Sequence, residues 1–154
     1  MKEIQQIPEK RMVKRLFDYM EKISEENGVA DYRKFSSEAI AEIWPQCFLL
    51  SVGNSSMETK NFIYKFEYVG DIIKEAFGKN PTGELINLNI KDTPGIKIIE
   101  NIDICTKELK QLHESGKFVN KKNKVIKYRS CMAPFGKSGS PATNIIVGLS
   151  WQSY

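Results

Sequence analysis

The sequence predicts an α+β fold, in which a five-stranded antiparallel sheet is covered on one face by helices and preceded by an amphipathic flanking helix. Aromatic residues at every second position of 62–69 have the period of a strand. Residues 94–115 carry the strongest helical stripe, and short turns separate the segments after it, which favours antiparallel neighbours. With 154 residues, 41% hydrophobic and 27% charged, the chain has the size and composition of one globular domain.

An amphipathic helix is predicted over residues 8–27, because Pro8 suits a first helical turn and apolar residues recur at helical spacing. The main stripe consists of Met12, Leu16, Tyr19 and Ile23. Further apolar side chains make this stripe wider than one domain has to bury. Two alternatives follow: the stripe pairs with its copy in a homodimer, or it packs on the domain's own sheet. We divide the chain into a flanking helix, 1–29, and a domain, 30–154.

The first half of the domain is predicted to hold two short helices and two strands. Residues 37–43 predict a short helix, and 47–52 an apolar strand before a polar turn. The strand at 62–69 is followed by two helical turns over 71–77. Glycines stand at the ends of these elements, where close backbone approach or a positive φ favours this residue: Gly70, Gly78 and Gly83.

A long helix is predicted over residues 94–115, with Thr93 as its N-cap and Pro94 at its first position. Gly116 is expected to end it. Its apolar stripe has spacings of four, three, four and three: Ile98, Ile102, Cys105, Leu109 and Leu112. Three strands follow, over residues 118–121, 125–133 and 144–152. The first two are joined by a tight polar turn at 122–123.

Three segments resemble motifs of a bacterial family of small PAS-like proteins. Segment 43–52 is similar to the first-strand motif of that family, in which proline and an aromatic residue precede leucines. Segments 66–70 and 77–83 resemble its signature, in which glycines close a strand and a helix before Thr-Gly. Residues 132–135 are similar to its fourth-strand ending.

The resemblance covers residues 30–152 and implies the fold of the PAS sensory domain superfamily. The chain departs from the family pattern at Asn80 and Pro81, which replace an acidic-leucine pair, and at Ser51, where an acid is common. The resemblance implies a stand-alone sensory or protein-interaction module in cytoplasmic signalling. Such a module acts by binding and not by catalysis, as a homodimer with an unidentified signalling protein as its partner. Three unpaired cysteines and an N-terminus without an apolar signal core fit a cytoplasmic location.

A small apolar ligand of such a sensor is expected between the long helix and the inner face of the sheet, where aromatic strand faces meet the helical stripe. The candidate lining residues are Phe48, Leu50, Tyr64, Phe66, Phe77, Ile102, Cys105, Leu109, Tyr128 and Met132. The same cavity would serve an alternative function, a small-molecule-binding or catalytic α+β domain.

Most catalytic and cofactor chemistry is excluded by missing residues. His113 is the only histidine, so a multi-histidine metal site is impossible, and its predicted place in a last helical turn suits the helix C-terminus more than a heme. The Cys-Arg-Phe-Leu-Gln type motif that light-sensing PAS relatives require is missing, and Cys105 is expected in the core. We therefore predict no enzyme, no metal and no cofactor, and neither Soret nor flavin absorbance.

Charge is distributed unevenly along the chain. Residues 115–154 carry seven basic and no acidic side chains, whereas residues 1–114 carry 16 basic and 19 acidic ones. Most of the basic residues lie in the predicted 117–129 hairpin: Lys117, Lys121, Lys122, Lys124, Lys127 and Arg129. This patch predicts either an acidic protein or nucleotide partner or, as a further alternative function, nucleic-acid binding. A third interpretation is that lysines on an edge hairpin prevent strand-to-strand aggregation. No apolar run approaches the about 18 residues of a membrane span.

Overall fold

The computed structural model describes residues 5–24, 28–54, 62–86 and 96–154. Its helices are α1 (Glu9–Lys22), α2 (Asp71–Phe77) and α3 (Ile96–Glu108), and short 3₁₀ segments cover Tyr32–Lys34, Ser37–Ile40 and Trp44–Gln46. Its strands are β1 (Cys47–Asn54), β2 (Phe62–Val69), β3 (Leu112–Val119), β4 (Val125–Phe135) and β5 (Asn144–Ser153). The predicted end of the first helix at 25–27, and Thr93 and Pro94 at the start of the long one, lie outside the described residues.

The five strands form one antiparallel sheet in the order β2-β1-β5-β4-β3. This confirms the predicted α+β fold with its five-stranded antiparallel sheet. The strand β5 lies in the middle of the sheet, between β1 and β4. In β2 the predicted alternation buries Tyr64 and Phe66 and exposes Lys65 and Glu67.

Helices cover both faces of the sheet. On one face α2 and α3 enclose an apolar core that includes Phe48 and Ile102, and we call this core the inner layer. On the other face, which we call the outer face, Met12 and Leu16 of α1 pack with Cys131 of β4 and with the 3₁₀ segments. The predicted helical cover is therefore present, and α1 supplies a second one on the opposite side.

The predicted helix over residues 94–115 is wrong at its C-terminal end. α3 ends at Glu108, Leu109 has a φ of 54°, and β3 begins at Leu112. Leu112 fits a helical spacing after Leu109, but it also begins an alternation of half-buried and exposed residues that continues to Val119. Residues 112–119 form a strand because each of them pairs with a residue of β4. A continued helix would lose these hydrogen bonds between strands.

Two residues near this boundary lie in a strand and not at the predicted end of a helix. His113 lies on β3 and not in a helical turn, and its ring meets Phe17 of α1 edge-on at 5.0 Å between centroids. Gly116, predicted to end the helix, lies within β3 opposite Tyr128. A Cβ at residue 116 would be 2.7 Å from Tyr128 Oη, so this glycine leaves room for the tyrosine ring.

The hairpin turn is longer than predicted. β3 covers Leu112–Val119, so the strand predicted at 118–121 begins and ends earlier, and the turn predicted at 122–123 lies within a longer turn. Asn120 Oδ1 accepts hydrogen bonds from the backbone N–H groups of Lys122, at 2.9 Å, and Lys124, at 3.0 Å. An asparagine side chain that binds the following backbone is a common way to fix a turn, and here it places the turn over 120–124.

Other boundaries move by a few residues. The first helix is shorter than predicted, the 37–43 helix is a 3₁₀ turn over Ser37–Ile40, and β1 and β4 each extend two residues further. The predicted division at residue 30 separates α1 in the sequence from the sheet that it covers, and it stays a prediction. Among the described helices none has the length and apolar character needed to cross a membrane.

Candidate functional site

The inner layer brings together the residues that were predicted to line a ligand pocket. They come from the sheet, from α2 and from α3, and one of them, Leu109, is half-buried against the others. The remaining nine are buried in the same apolar cluster: Phe48, Leu50, Tyr64, Phe66, Phe77, Ile102, Cys105, Tyr128 and Met132.

Two hydrogen-bonded clusters bring polar groups into this layer. In the first, Tyr64 Oη donates to Asp103 Oδ1 at 2.5 Å, and Thr106 Oγ1 lies 3.0 Å from the same tyrosine oxygen. Thr106 Oγ1 in turn donates to the carbonyl of Ile102 at 2.8 Å. Burial, with a contribution from Asp103, raises the pKa of Tyr64 far above its ordinary value. The phenol therefore stays a neutral donor that ties β2 to α3.

The second cluster is centred on Glu114 of β3. Asn101 Nδ2 of α3 donates to one carboxylate oxygen, and Tyr128 Oη of β4 donates to the other at 3.3 Å. Burial first, and the neighbouring carboxylate second, raise the pKa of Tyr128 well above its ordinary value. Glu114 was not among the predicted site residues, because the helical spacing of Leu109 and Leu112 placed residue 114 in a helix. The alternation that begins at Leu112 is the signal that could have found it.

Ser130 lies beside Glu114 and has an unsatisfied hydroxyl group. It stands between Tyr128 and Met132 on β4, so it shares their face toward the inner layer, and it pairs with Glu114 on β3. Its side chain is 1% exposed, and Ser130 Oγ has no hydrogen-bond partner in the described part of the chain. A buried hydroxyl without a partner costs about 1–3 kcal/mol. The inner layer thus contains one polar group that no described residue satisfies.

The α1 stripe is buried inside the chain. Met12 and Leu16 are fully buried, Tyr19 is buried, and Ile23 packs partly buried against the same cluster. Met12 Sδ lies over Gly148 of the central strand, 3.1 Å from the position of a Cβ there. The stripe therefore packs on the chain's own sheet, which is the second of the two alternatives. A homodimer through this stripe would require α1 to leave the sheet.

Three of the basic residues of the hairpin lie on its strands, and the other three lie in its turn. Lys117, Lys127 and Arg129 alternate with residues of the inner layer, so they lie on the outer face, where they line a groove of about 550 Å³. The turn lysines lie next to α2, because the backbone N–H of Lys121 donates to the carbonyl of Phe77 at 3.2 Å. The groove therefore holds three of the six cations of the predicted patch, and the turn holds the other three.

The three cysteines are buried and free, as expected for reduced thiols in a core. Burial raises the pKa of Cys105 and of Cys131 to about 12 each, and raises that of Cys47 well above its ordinary value. At neutral pH these side chains are thiols, and only the thiolate is an effective nucleophile.

No protein-family model and no curated protein matches the sequence. Among solved structures, a light-oxygen-voltage (LOV) domain described in work on a flavin analogue is similar, with a TM-score of 0.52 and 11% identity over 77% of this chain and 86% of that chain. The LOV domain from the Erythrobacter litoralis EL346 blue-light activated histidine kinase has a TM-score of 0.46 and 11% identity over 70% of this chain and 97% of that domain.

The Erythrobacter litoralis EL346 blue-light activated histidine kinase itself has a TM-score of 0.48 and 10% identity over 71% of this chain. The chain spans 34% of that kinase. At these identities the likeness concerns the fold alone, and it rests on the LOV domain with the TM-score of 0.52. LOV domains belong to the PAS superfamily. The five-stranded antiparallel sheet of this chain, with its helices, matches their fold. The fold of this chain is therefore PAS-like.

Proposed function

We propose that the chain is a sensory or protein-interaction module of cytoplasmic signalling, which acts by binding and not by catalysis. The observation that carries this proposal is the Ser130 hydroxyl, which is buried in the inner layer beside the Glu114 cluster and has no hydrogen-bond partner among the described residues. A small, mostly apolar ligand with one polar group would satisfy this hydroxyl, while its apolar part contacts the aromatic side chains around it. Fold alone would not support this function, because PAS-like folds serve many roles.

The alternative functions have less support. Catalysis by a cysteine would need a thiolate, but the described thiols are neutral at neutral pH, and His113 is exposed on the outer face, away from the inner layer. Nucleic-acid binding would need a long basic track, whereas three cations line the groove on the outer face: Lys117, Lys127 and Arg129. A homodimer stays a prediction, and it would have to use a surface other than the α1 stripe.

Native mass spectrometry of gently purified protein tests the sensory part of the proposal. We expect one small molecule per chain, released on denaturation, and no Soret or flavin absorbance in the same sample. If every preparation shows only the mass of the chain, the inner layer holds no ligand. The proposal is then reduced to a protein-interaction module. A Soret band that is lost in His113→Ala would show that the exclusion of heme is wrong.

Ser130→Ala tests where such a ligand lies. We expect this variant to bind the retained molecule about tenfold more weakly, which corresponds to about 1.4 kcal/mol. Its ligand-free form should be as stable as the parent, or more stable by about 1 kcal/mol, because an unpaired buried hydroxyl is removed. Ser150→Ala, on the outer face of β5, is the matched control. If Ser130→Ala and Ser150→Ala bind the retained molecule with equal affinity, the ligand does not contact Ser130.

A further inference from the structure

The outer face of β3, β4 and β5 carries a groove that the proposed ligand site does not use. It lies beside the part of the sheet that α1 covers, where Met12 lies over Gly148 and Phe17 meets His113. The groove has a volume of about 550 Å³ and is open to solvent. We call it the basic groove and define it by Ser115, Lys117, Lys127, Arg129, Ser150 and Gln152.

The strand register arranges the cations in two rows. Lys117 and Lys127 stand opposite each other in the pairing of β3 with β4, and Gln152 continues their row on β5. Arg129 stands in the next row between two serines, one on each neighbouring strand. The rows are two residues apart along each strand, which corresponds to about 6.7 Å.

In the described part of the chain, no ion pair compensates the charge of the basic groove. Like charges directly opposite each other on neighbouring strands destabilise a sheet, and Lys117 with Lys127 is such a pair. Within the described ranges no carboxylate forms an ion pair with either lysine or with Arg129. Lys127 Nζ lies 4.4 Å from the ring centre of Tyr154, a contact that offsets part of the repulsion. No acidic side chain follows Glu114 in the sequence.

We propose that the basic groove is a docking site for an acidic segment of a partner protein. Alternate side chains of an extended segment are about 6.7 Å apart, so two carboxylates separated by one residue reach the two rows together. The first would lie between Lys117 and Lys127, and the second would accept two hydrogen bonds from Arg129. The neighbouring hydroxyl and amide groups offer neutral hydrogen bonds. This inference rests on the proposed role as an interaction module and names the chemistry of its partner.

A nucleic acid fits this surface less well. The groove offers three cations within two rows, and the next lysines along the chain lie in the turn beside α2. A strand of phosphates needs a basic track that continues along its backbone. A short acidic segment needs only the two rows.

The test is binding of a fluorescein-labelled peptide of alternating Glu and Thr to the full chain, measured by fluorescence polarisation at low salt. Replacing Lys117, Lys127 and Arg129 by Gln should weaken binding about tenfold, because three exposed charge contacts of up to about 1 kcal/mol each are lost. Replacing Lys121, Lys122 and Lys124 by Gln removes the same charge from the turn. This control should weaken binding about twofold at most, through long-range attraction alone.

Equal loss in both triple variants, or no binding by the parent chain, would overturn the proposal. Tighter binding of a single-stranded DNA of equal charge than of the peptide would overturn it in favour of nucleic acid. Circular dichroism should report a folded protein for both variants, because all six positions are exposed. Retention of a small molecule in the inner layer is measured separately, so failure of the groove and failure of the proposed sensory function are distinguishable.

Discussion

Leu16→Glu is expected to remove most of the free energy of unfolding of this protein. Leu16 is fully buried on the outer face in one cluster with Cys131, Phe135 and Ile146. Truncating a buried leucine to alanine costs about 2–5 kcal/mol. A carboxylate at this position also loses its hydration without gaining a partner, which adds to that cost. Because domains of this kind are stable by about 5–15 kcal/mol in total, one such substitution brings the chain close to unfolding.

Urea denaturation followed by far-UV circular dichroism measures this loss. Lys10→Glu, on the exposed side of the same helix, is the matched control and should change the stability by about 0.5 kcal/mol at most. Sedimentation of the two variants tests the alternative that α1 forms the interface of a homodimer. If Leu16→Glu keeps its full stability and only dissociates a dimer, α1 belongs to an intermolecular interface and not to the sheet.

The elements that the sequence predicted well are those whose pattern has one interpretation. β2 alternates over eight residues, and α2 is a short apolar repeat between two glycines. The end of α3 was ambiguous, because Leu109 and Leu112 are three residues apart and fit a helix, while Leu112 also starts a strand. Pairing with β4 decides between the two, and a local pattern contains no information on a partner that lies later in the chain.

The inner layer was predictable because burial selects apolar residues at regular spacing. Glu114 and Ser130 were not, since a buried polar residue adds nothing to an apolar period and only the strand register places it toward α3. The same reason applies to the basic groove. Lys117 and Lys127 are ten residues apart in the sequence and become neighbours only through the β3–β4 pairing, while the lysines between them lie in the turn.

Gly70→Ala is expected to destabilise the protein by about 3 kcal/mol or more, because inserting an atom into a closed contact forces the backbone to move. Gly70 joins β2 to α2 with an ordinary φ of −68°, so alanine is not excluded by conformation. A Cβ there would lie 2.2 Å from the carbonyl oxygen of Pro45 and 2.5 Å from its carbon. Neither atom belongs to a flexible side chain. The Gly70 N–H also donates to the carbonyl of Cys47 at 2.9 Å, so separating the two segments breaks the start of the β1–β2 pairing.

Gly53→Ala in β1 is the matched control, since the nearest atom to its Cβ would be a backbone oxygen at 4.0 Å. This variant should differ from the parent by about 0.5 kcal/mol or less. Urea denaturation gives the stability of both variants. Tryptophan fluorescence in a Trp151→Phe background gives a local signal, because Trp44, the other tryptophan, stacks on Tyr68 at 3.8 Å between ring centres and precedes Pro45. Equal stability of Gly70→Ala and Gly53→Ala would mean that the chain does not pass so close to Pro45. A loss of stability confined to Gly70→Ala, together with a change in Trp44 emission, would show that the close approach of the Pro45 backbone requires a glycine at the end of β2.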